Sequence, residues 1–194
     1  MLPKIIFRYS RIYDEQFKNK KISKKNYSIK KILSYMRSIE LKWKKYEKKI
    51  LVEMEKISGL NWKRKLIIVY LVSDCIPFSE PLTIHPYKNK DTFIDVLTHE
   101  LIHNLFVDNL DSRKVKNAWN YFNKKYKKED LTTRIHILLY AIHSHLYIKF
   151  FGKERLNKDI GFKINKKSYQ KAWSIVLKEG YENILKEFKE KIKK

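Results

Sequence analysis

The chain has little of what extracellular and membrane proteins depend on. Cys75 is its one cysteine, so no disulfide can form within the chain, and a lone thiol fits a reducing compartment. No apolar run approaches the length of about 18 residues that a membrane span requires, and residues 1–4 open no signal peptide. With four glycines and four prolines among 194 residues, the chain has little material for long loops. These absences predict a soluble cytoplasmic protein with no membrane contact.

Apolar residues are nonetheless abundant enough for a core. Hydrophobic side chains make up 43% of the chain and aromatic ones 14%, a composition that excludes a disordered protein. A chain of this length buries roughly 70% of the surface that its unfolded form exposes. We therefore expect a single domain over residues 1–194.

Basic residues dominate the charge. Lysine and arginine total 44 against 21 acidic residues, which gives a formal net charge of +23, and only seven of the 44 are arginine. A basic surface attracts phosphates whatever their sequence. Arginine is the better bidentate phosphate ligand, however, and the lysines are spread along the chain. The charge therefore allows a weak electrostatic association with nucleic acid or acidic partners, but by itself it does not predict a nucleic-acid-binding protein.

Hydrophobic periodicity and turn residues predict an α+β fold that is predominantly helical and has a small mixed sheet. Strands are predicted over residues 3–10, 66–72 and 82–85. Helices are predicted over residues 28–58, 92–107, 113–127, 132–151, 167–178 and 181–193. The segments 11–27, 73–81 and 152–161 are predicted to be connections. Gly59 and Gly152 are predicted to end the helices before them.

One stretch has a spacing that implies chemistry: His-Glu-Leu-Ile-His at residues 99–103. It lies in the apolar helix predicted over residues 92–107, for which Asp91 and Thr92 are the candidate N-caps. Residues four apart share a helix face, so His99 and His103 can converge on one metal ion. Glu100 lies about 100° round the helix from His99, where it can act as a general base on a water activated by zinc.

With this motif the sequence resembles the zincin metallopeptidases, in which it lies on the active-site helix. Phe106 and Asn109 stand where the metzincin branch would have Gly and His, so that branch is excluded. Cys75 precedes the helix as a cysteine does in peptide deformylases, but residues 73–77 lack the glycine of their motif. Residues 132–160 resemble small archaeal and bacterial proteins regarded as metal-dependent peptidases. The resemblance implies a zincin-like fold in which residues 81–86 form an edge strand that pairs with an extended substrate.

A catalytic zinc needs a third protein ligand, and the helix predicted over residues 132–151 supplies candidates. His136, Tyr140, His143 and Tyr147 share one face of this helix, whereas His145 lies on the opposite face. His136 and His143 are two turns apart, about 10.5 Å along the axis, so one of them should ligate and the other should contact substrate. We favour His136 as the ligand, and His143 remains the alternative.

The other candidates rank lower. Glu129 and Glu154 would provide the carboxylate ligand of the gluzincin pattern, but both lie in lysine-rich segments that are typical of solvated surface. His85 ends a predicted strand and is expected to be structural or to line the cleft. Asp95, one turn before His99, is either a partner that orients an imidazole or a charge that stabilises the first turn.

These residues predict a zinc-dependent hydrolase, most simply a metallopeptidase acting on peptide or protein substrates. His99, His103 and His136 would hold zinc, Glu100 would act as the base, and Tyr140 or His143 would stabilise the oxyanion. Two alternatives remain. One is a basic protein associated with nucleic acid, including a protease recruited to DNA-bound proteins. The other is a non-catalytic metal-binding interaction domain.

Overall fold

The computed structural model describes residues 1–18, 27–162 and 167–193. Within these ranges the chain forms nine helices and one four-stranded sheet, so the prediction of a predominantly helical α+β fold is confirmed. Contacts divide the chain into two compact units, residues 1–52 with 62–105 and residues 53–61 with 106–194. The expectation of a single domain over residues 1–194 remains a prediction. None of the described helices combines the length and the apolarity that crossing a bilayer requires.

The first unit is built on the sheet. Its strands are β1 (Lys4–Arg8), β2 (Leu66–Leu71), β3 (Phe78–Ser79) and β4 (Leu82–Ile84). They are ordered β1-β2-β4-β3 in the sheet. Strands β1, β2 and β4 are parallel to one another, and β3 is antiparallel to β4. β-Branched residues suit this pleated and largely covered surface, and Ile67 and Val69 of β2 are buried in the core.

The prediction of an edge strand over residues 81–86 is wrong. β4 lies inside the sheet, because Thr83 is in register with Tyr70 of β2 on one side and with Phe78 of β3 on the other. The cause is a tight turn at residues 80–81 that folds β3 back onto β4. Residues 73–81, predicted to be a turn throughout, thus contain the strand that forms this edge of the sheet. Two residues are too few for their alternation to be visible in the sequence.

Four helices contribute to the first unit. They are α1 (Arg11–Lys18), α2 (Ile29–Lys44), the first part of α3 (Glu47–Ser58) and α4 (Lys90–Asp108) as far as Leu105. The single helix predicted over residues 28–58 is in fact α2 and α3. The backbone amides of Lys45 and Tyr46 donate to the carbonyls of Lys42 and Trp43, three residues back, and this tightened turn separates the two helices. Neither glycine nor proline marks the break, so the sequence carries no local signal for it.

Helix α1 was not predicted, and both aromatic and polar contacts attach it to the first unit. The rings of Tyr13 and Phe17 pack against Tyr70 of β2 and Phe78 of β3, at 5.1 Å and 5.9 Å between ring centroids. Asp14 is fully buried, and its carboxylate accepts hydrogen bonds from the Ser73 backbone and from the Ser73 hydroxyl at 2.8 Å. The Tyr13 hydroxyl lies 2.9 Å from Oγ1 of Thr83. The predicted connection over residues 11–27 is therefore helical as far as Lys18, and residues 19–26 lie outside the described part.

The second unit is helical. It contains the end of α3 and the helices α5 (Arg113–Lys125), α6 (Leu131–Phe150), α7 (Lys153–Phe162), α8 (Lys167–Glu179) and α9 (Tyr181–Lys193). Helix α6 lies at its centre, with most of its residues buried. Helix α7 occupies residues predicted to be a connection. Among the apolar residues of α7 whose side chains the structure describes, Leu156 alone is buried, and the helix contains Gly161, so its sequence shows no helical stripe.

Candidate metal centre

Helix α4 is held in the first unit by aromatic and charged contacts. The ring of Phe93 packs against Phe7 of β1 at 6.3 Å and against Tyr35 of α2 at 5.9 Å, measured between ring centroids. Lys42 of α2 pairs with Asp91 at 2.6 Å. These contacts fix the helix in the core, so the residues one to three turns further along have defined positions.

The helix begins two residues earlier than predicted. Asn89 caps it, because its side-chain oxygen accepts a hydrogen bond from the backbone amide of Asp91 at 2.8 Å. Asp91 and Thr92, the predicted caps, lie within the first turn of α4. Asp91 still stabilises that turn as a negative charge near the helix N-terminus.

The motif residues occupy the middle of α4. His99 and His103 are one turn apart, half-buried, with ring centroids separated by 5.1 Å. Glu100 is buried, with 7% of its surface exposed. Burial deprives this carboxylate of hydration, so it depends on partners within the protein.

Cys75 and Tyr87 lie within electrostatic reach of Glu100. Burial, followed by the charges of Asp74 and Glu100, raises the pKa of the Cys75 thiol to about 12. Burial likewise raises the pKa of Tyr87 above its ordinary value, and the charge of Glu100 adds to this. At neutral pH Cys75 is therefore a protonated thiol.

Asn104 is a buried polar residue of α4 that the sequence did not identify. It is fully buried, and its side-chain amide donates a hydrogen bond to the Ser79 carbonyl of β3 at 2.8 Å. The bond ties the edge strand to the helix one turn beyond Glu100. An asparagine in an otherwise apolar helix was a visible signal for a specific partner, but the partner lies on a strand that the sequence did not reveal.

His136 is oriented by its own helix. Its Nδ1 lies 2.7 Å from the Thr132 carbonyl, which can only accept, so Nδ1 carries the proton. Nε2 is then the nitrogen with a lone pair, the form in which histidine binds metals. The ring is buried, with 6% exposed, and packs edge-on against Tyr169 of α8 at 4.5 Å.

The structure brings the three predicted ligands together. Each of His99, His103 and His136 offers one nitrogen, and these nitrogens all lie within 4.8 Å of one another. Three nitrogens bound to one tetrahedral zinc at about 2.0–2.1 Å are about 3.4 Å apart. These histidines could hold a metal ion, and three imidazoles suit zinc, copper, iron or nickel.

Tyr140 and His143 follow His136 on the same helix. Tyr140 is fully buried and stacked on Trp173 at 4.1 Å, and burial raises its pKa, so its phenol stays neutral. His143 is 2% exposed and packs on Tyr147 at 4.6 Å. The cluster of candidate ligands includes His136 and not His143. The role predicted for Tyr140 and His143 at the oxyanion remains a prediction.

The two remaining histidines make structural contacts. Nδ1 of His85 lies 2.8 Å from the Cys75 carbonyl, which links the segment after β4 to the segment after β2. His145, on the opposite face of α6 from His136, binds the carboxylate of Glu53 at 2.9 Å. The contact of His85 is structural, one of the two roles expected for it, and the other role, lining the cleft, remains a prediction.

The acidic candidates differ in position. Glu129 pairs with Lys171 at 3.5 Å, and Glu154 is exposed in the first turn of α7, as expected for surface carboxylates. Asp95 is half-buried one turn before His99. Its predicted role in orienting an imidazole remains a prediction.

Comparison of the chain with family models, with curated proteins and with solved structures gave no match. The resemblance to zincins therefore depends on the motif and its setting in α4.

Proposed function

We propose that the protein is a zinc-dependent hydrolase that cleaves peptide bonds. The observation that carries the proposal is the approach of three histidine nitrogens, within 4.8 Å of one another. Glu100, which is buried, follows the first of these histidines on α4. A cluster of two histidines one turn apart and a third from another helix is the ligand set of a catalytic zinc with one position left for water or substrate.

The donor set fits zinc. All three ligands are imidazoles, and His136 has its proton on Nδ1 and its lone pair on Nε2. His99, His103 and His136 would hold the ion. Bound there, zinc would act as a Lewis acid and would lower the pKa of a water molecule that it binds.

Glu100 would then provide the proton transfers. Its carboxylate would take the proton from the attacking water and later deliver it to the leaving amine. Tyr140 or His143 would donate a hydrogen bond to the developing oxyanion, and Asp95 would orient one of the imidazoles.

The sheet limits how a substrate would bind. Because β4 is covered by β3, the strand available to an extended peptide at this side would be Phe78–Ser79, which is two residues long. Main-chain pairing with so short a strand would contribute few hydrogen bonds. We infer that most of the affinity for a peptide would come from the metal and from side-chain contacts.

Zinc analysis together with a hydrolysis assay tests the proposal. Protein purified without metal-binding tags should contain about one zinc per chain by plasma mass spectrometry. It should cleave members of a quenched fluorescent peptide library with a kcat of the order of magnitude typical of enzymes. This activity should be lost after treatment with 1,10-phenanthroline and should return when Zn²⁺ is added. Zinc without turnover on any peptide would instead indicate a non-catalytic metal-binding domain, and a protein that binds no zinc would contradict the proposal.

A further inference from the structure

A groove in the second unit is separate in chemistry from the histidine cluster. It lies among the end of α3, the later turns of α6 and the exposed side of α9, and has a volume of about 610 Å³. Five of its lining residues are lysines, and the apolar residues in it, Ile57 and Leu185, are themselves buried. Apolar atoms provide most of the accessible area, but most of the lining side chains are charged, and the five lysines outnumber the three glutamates.

A neutralised carboxylate forms part of the groove. Glu53 of α3 is buried, and it binds Nε2 of His145 at 2.9 Å and Nζ of Lys149 at 2.7 Å. Burial opposes ionisation of this carboxyl group, but the hydrogen bonds from Lys149 and His145 outweigh it and hold the pKa of Glu53 below its usual range. Glu53 therefore uses its charge within the protein and offers little repulsion to an anion in the groove.

Three of the five groove lysines form a stripe along α9. Lys186, Lys189 and Lys193 lie three and four residues apart on α9, which places them on one helix face over about 10.5 Å. Lys189 also donates a hydrogen bond to the Lys56 carbonyl of α3 at 3.1 Å, which positions its ammonium between the two helices. Together with Lys56 these are four ammonium groups, opposed by two groove glutamates, Glu182 and Glu190.

The lining distinguishes among polyanionic partners. The centre of a protein–protein interface is depleted of lysine and glutamate and enriched in aromatic anchors. An anionic bilayer attracts lysines, but stable attachment needs apolar groups or a lipid anchor beside them, and the apolar residues of this groove are buried. A phosphate backbone needs neither, since it is bound by point charges along a groove. One strand of B-form nucleic acid carries a phosphate every 3.4 Å or so, so about three phosphates match the length of the stripe.

We propose that this groove binds the phosphate backbone of nucleic acid without sequence preference, through Lys186, Lys189 and Lys193. The net charge of +23 accelerates the encounter between the protein and nucleic acid from any direction. The stripe then determines where the nucleic-acid strand lies on the protein. The proposal is independent of the hydrolase activity, since none of the candidate metal ligands lines the groove.

Fluorescence anisotropy with a labelled 20-nucleotide oligothymidylate tests the proposal in the full-length protein. We expect binding whose affinity falls as salt is raised. The triple variant K186Q/K189Q/K193Q should weaken binding by more than about tenfold at low salt, and it should reduce the slope of log K against log salt by about 2, because each single-strand phosphate contact contributes about 0.7.

The matched control is K114Q/K116Q/K124Q, which removes the same charge from exposed positions of α5 in the same unit. It should change the affinity by no more than about threefold, since it alters only the long-range field.

An equal loss in both triple variants would overturn the groove assignment, as would absence of oligonucleotide binding. Preferential binding of polyglutamate or of phosphatidylserine vesicles would also overturn it. Should thermal melting show that the triple variant is unfolded, the single variant K186E, at an exposed position, gives the same comparison with K114E.

Discussion

Replacing Glu100 by glutamine should leave zinc binding intact and lower kcat/KM for peptide hydrolysis by at least about 10²–10⁴-fold. Glutamine has nearly the shape of glutamate, so the buried site can keep its packing. Its amide cannot accept the proton of the attacking water at neutral pH, however, and general-base catalysis typically accounts for an effect of about this size. The measurement is the hydrolysis rate of the variant at matched zinc content.

Glu154→Gln is the control for this experiment, because Glu154 is exposed in the first turn of α7 and is not part of the histidine cluster. It should hydrolyse peptides at the parent rate. Full activity in Glu100→Gln would show that another group is the base. A Glu100→Gln protein that had lost its zinc would show that Glu100 contributes to the metal site itself.

Replacing His136 by alanine should weaken zinc binding by more than about 100-fold. Loss of a residue that merely supports a ligand already costs about 10–100-fold in metal affinity, and loss of the ligand itself costs more. His143→Ala is the matched control. It removes the same side chain from the same helix at similar burial, from a residue outside the cluster.

The two variants are compared by titration with zinc against a chromogenic chelator, with thermal melting as a check on folding. We expect His143→Ala to retain parental zinc affinity. The reverse pattern, with zinc lost from His143→Ala and kept by His136→Ala, would make His143 the third ligand. Retention of zinc by both variants would mean that the third ligand is neither of them.

Elements whose signals are local were predictable from the sequence. Helix α6 illustrates this, since the Asp130 side chain caps its first turn through the Thr133 amide at 2.9 Å, and Gly152 ends it with a φ of 89°. The apolar setting of residues 99–103 likewise predicted a buried helix, and α4 is one. Caps, stops and periodicity act within a few residues, so they can be read without knowing the fold.

Elements that depend on distant partners were not predictable in the same way. Helix α1 is attached through Asp14 to Ser73, which is 59 residues away, and β3 exists because the chain turns back onto β4. The break between α2 and α3 lies next to Trp43, whose side chain is fully buried, and no residue that commonly interrupts helices is present there. In each case tertiary contacts outweigh the local preference.

The residues of the candidate site likewise divide into those that local signals predict and those that depend on contacts with other parts of the chain. His99, Glu100 and His103 follow from spacing on one helix, and His136 follows from its place on a second helical face. Asn104, however, is bound to the Ser79 carbonyl of a strand that no pattern predicted. The proton position on His136 depends on a carbonyl four residues earlier, Thr132, a contact that is local but becomes visible only with the side-chain rotamer.

The most direct test of the metal site is anomalous diffraction at the zinc absorption edge from crystals of the protein grown with Zn²⁺. We expect one strong peak at about 2.0–2.1 Å from a nitrogen of each of His99, His103 and His136. A zinc peak elsewhere in the molecule, with the density between these three imidazoles empty, would contradict the account.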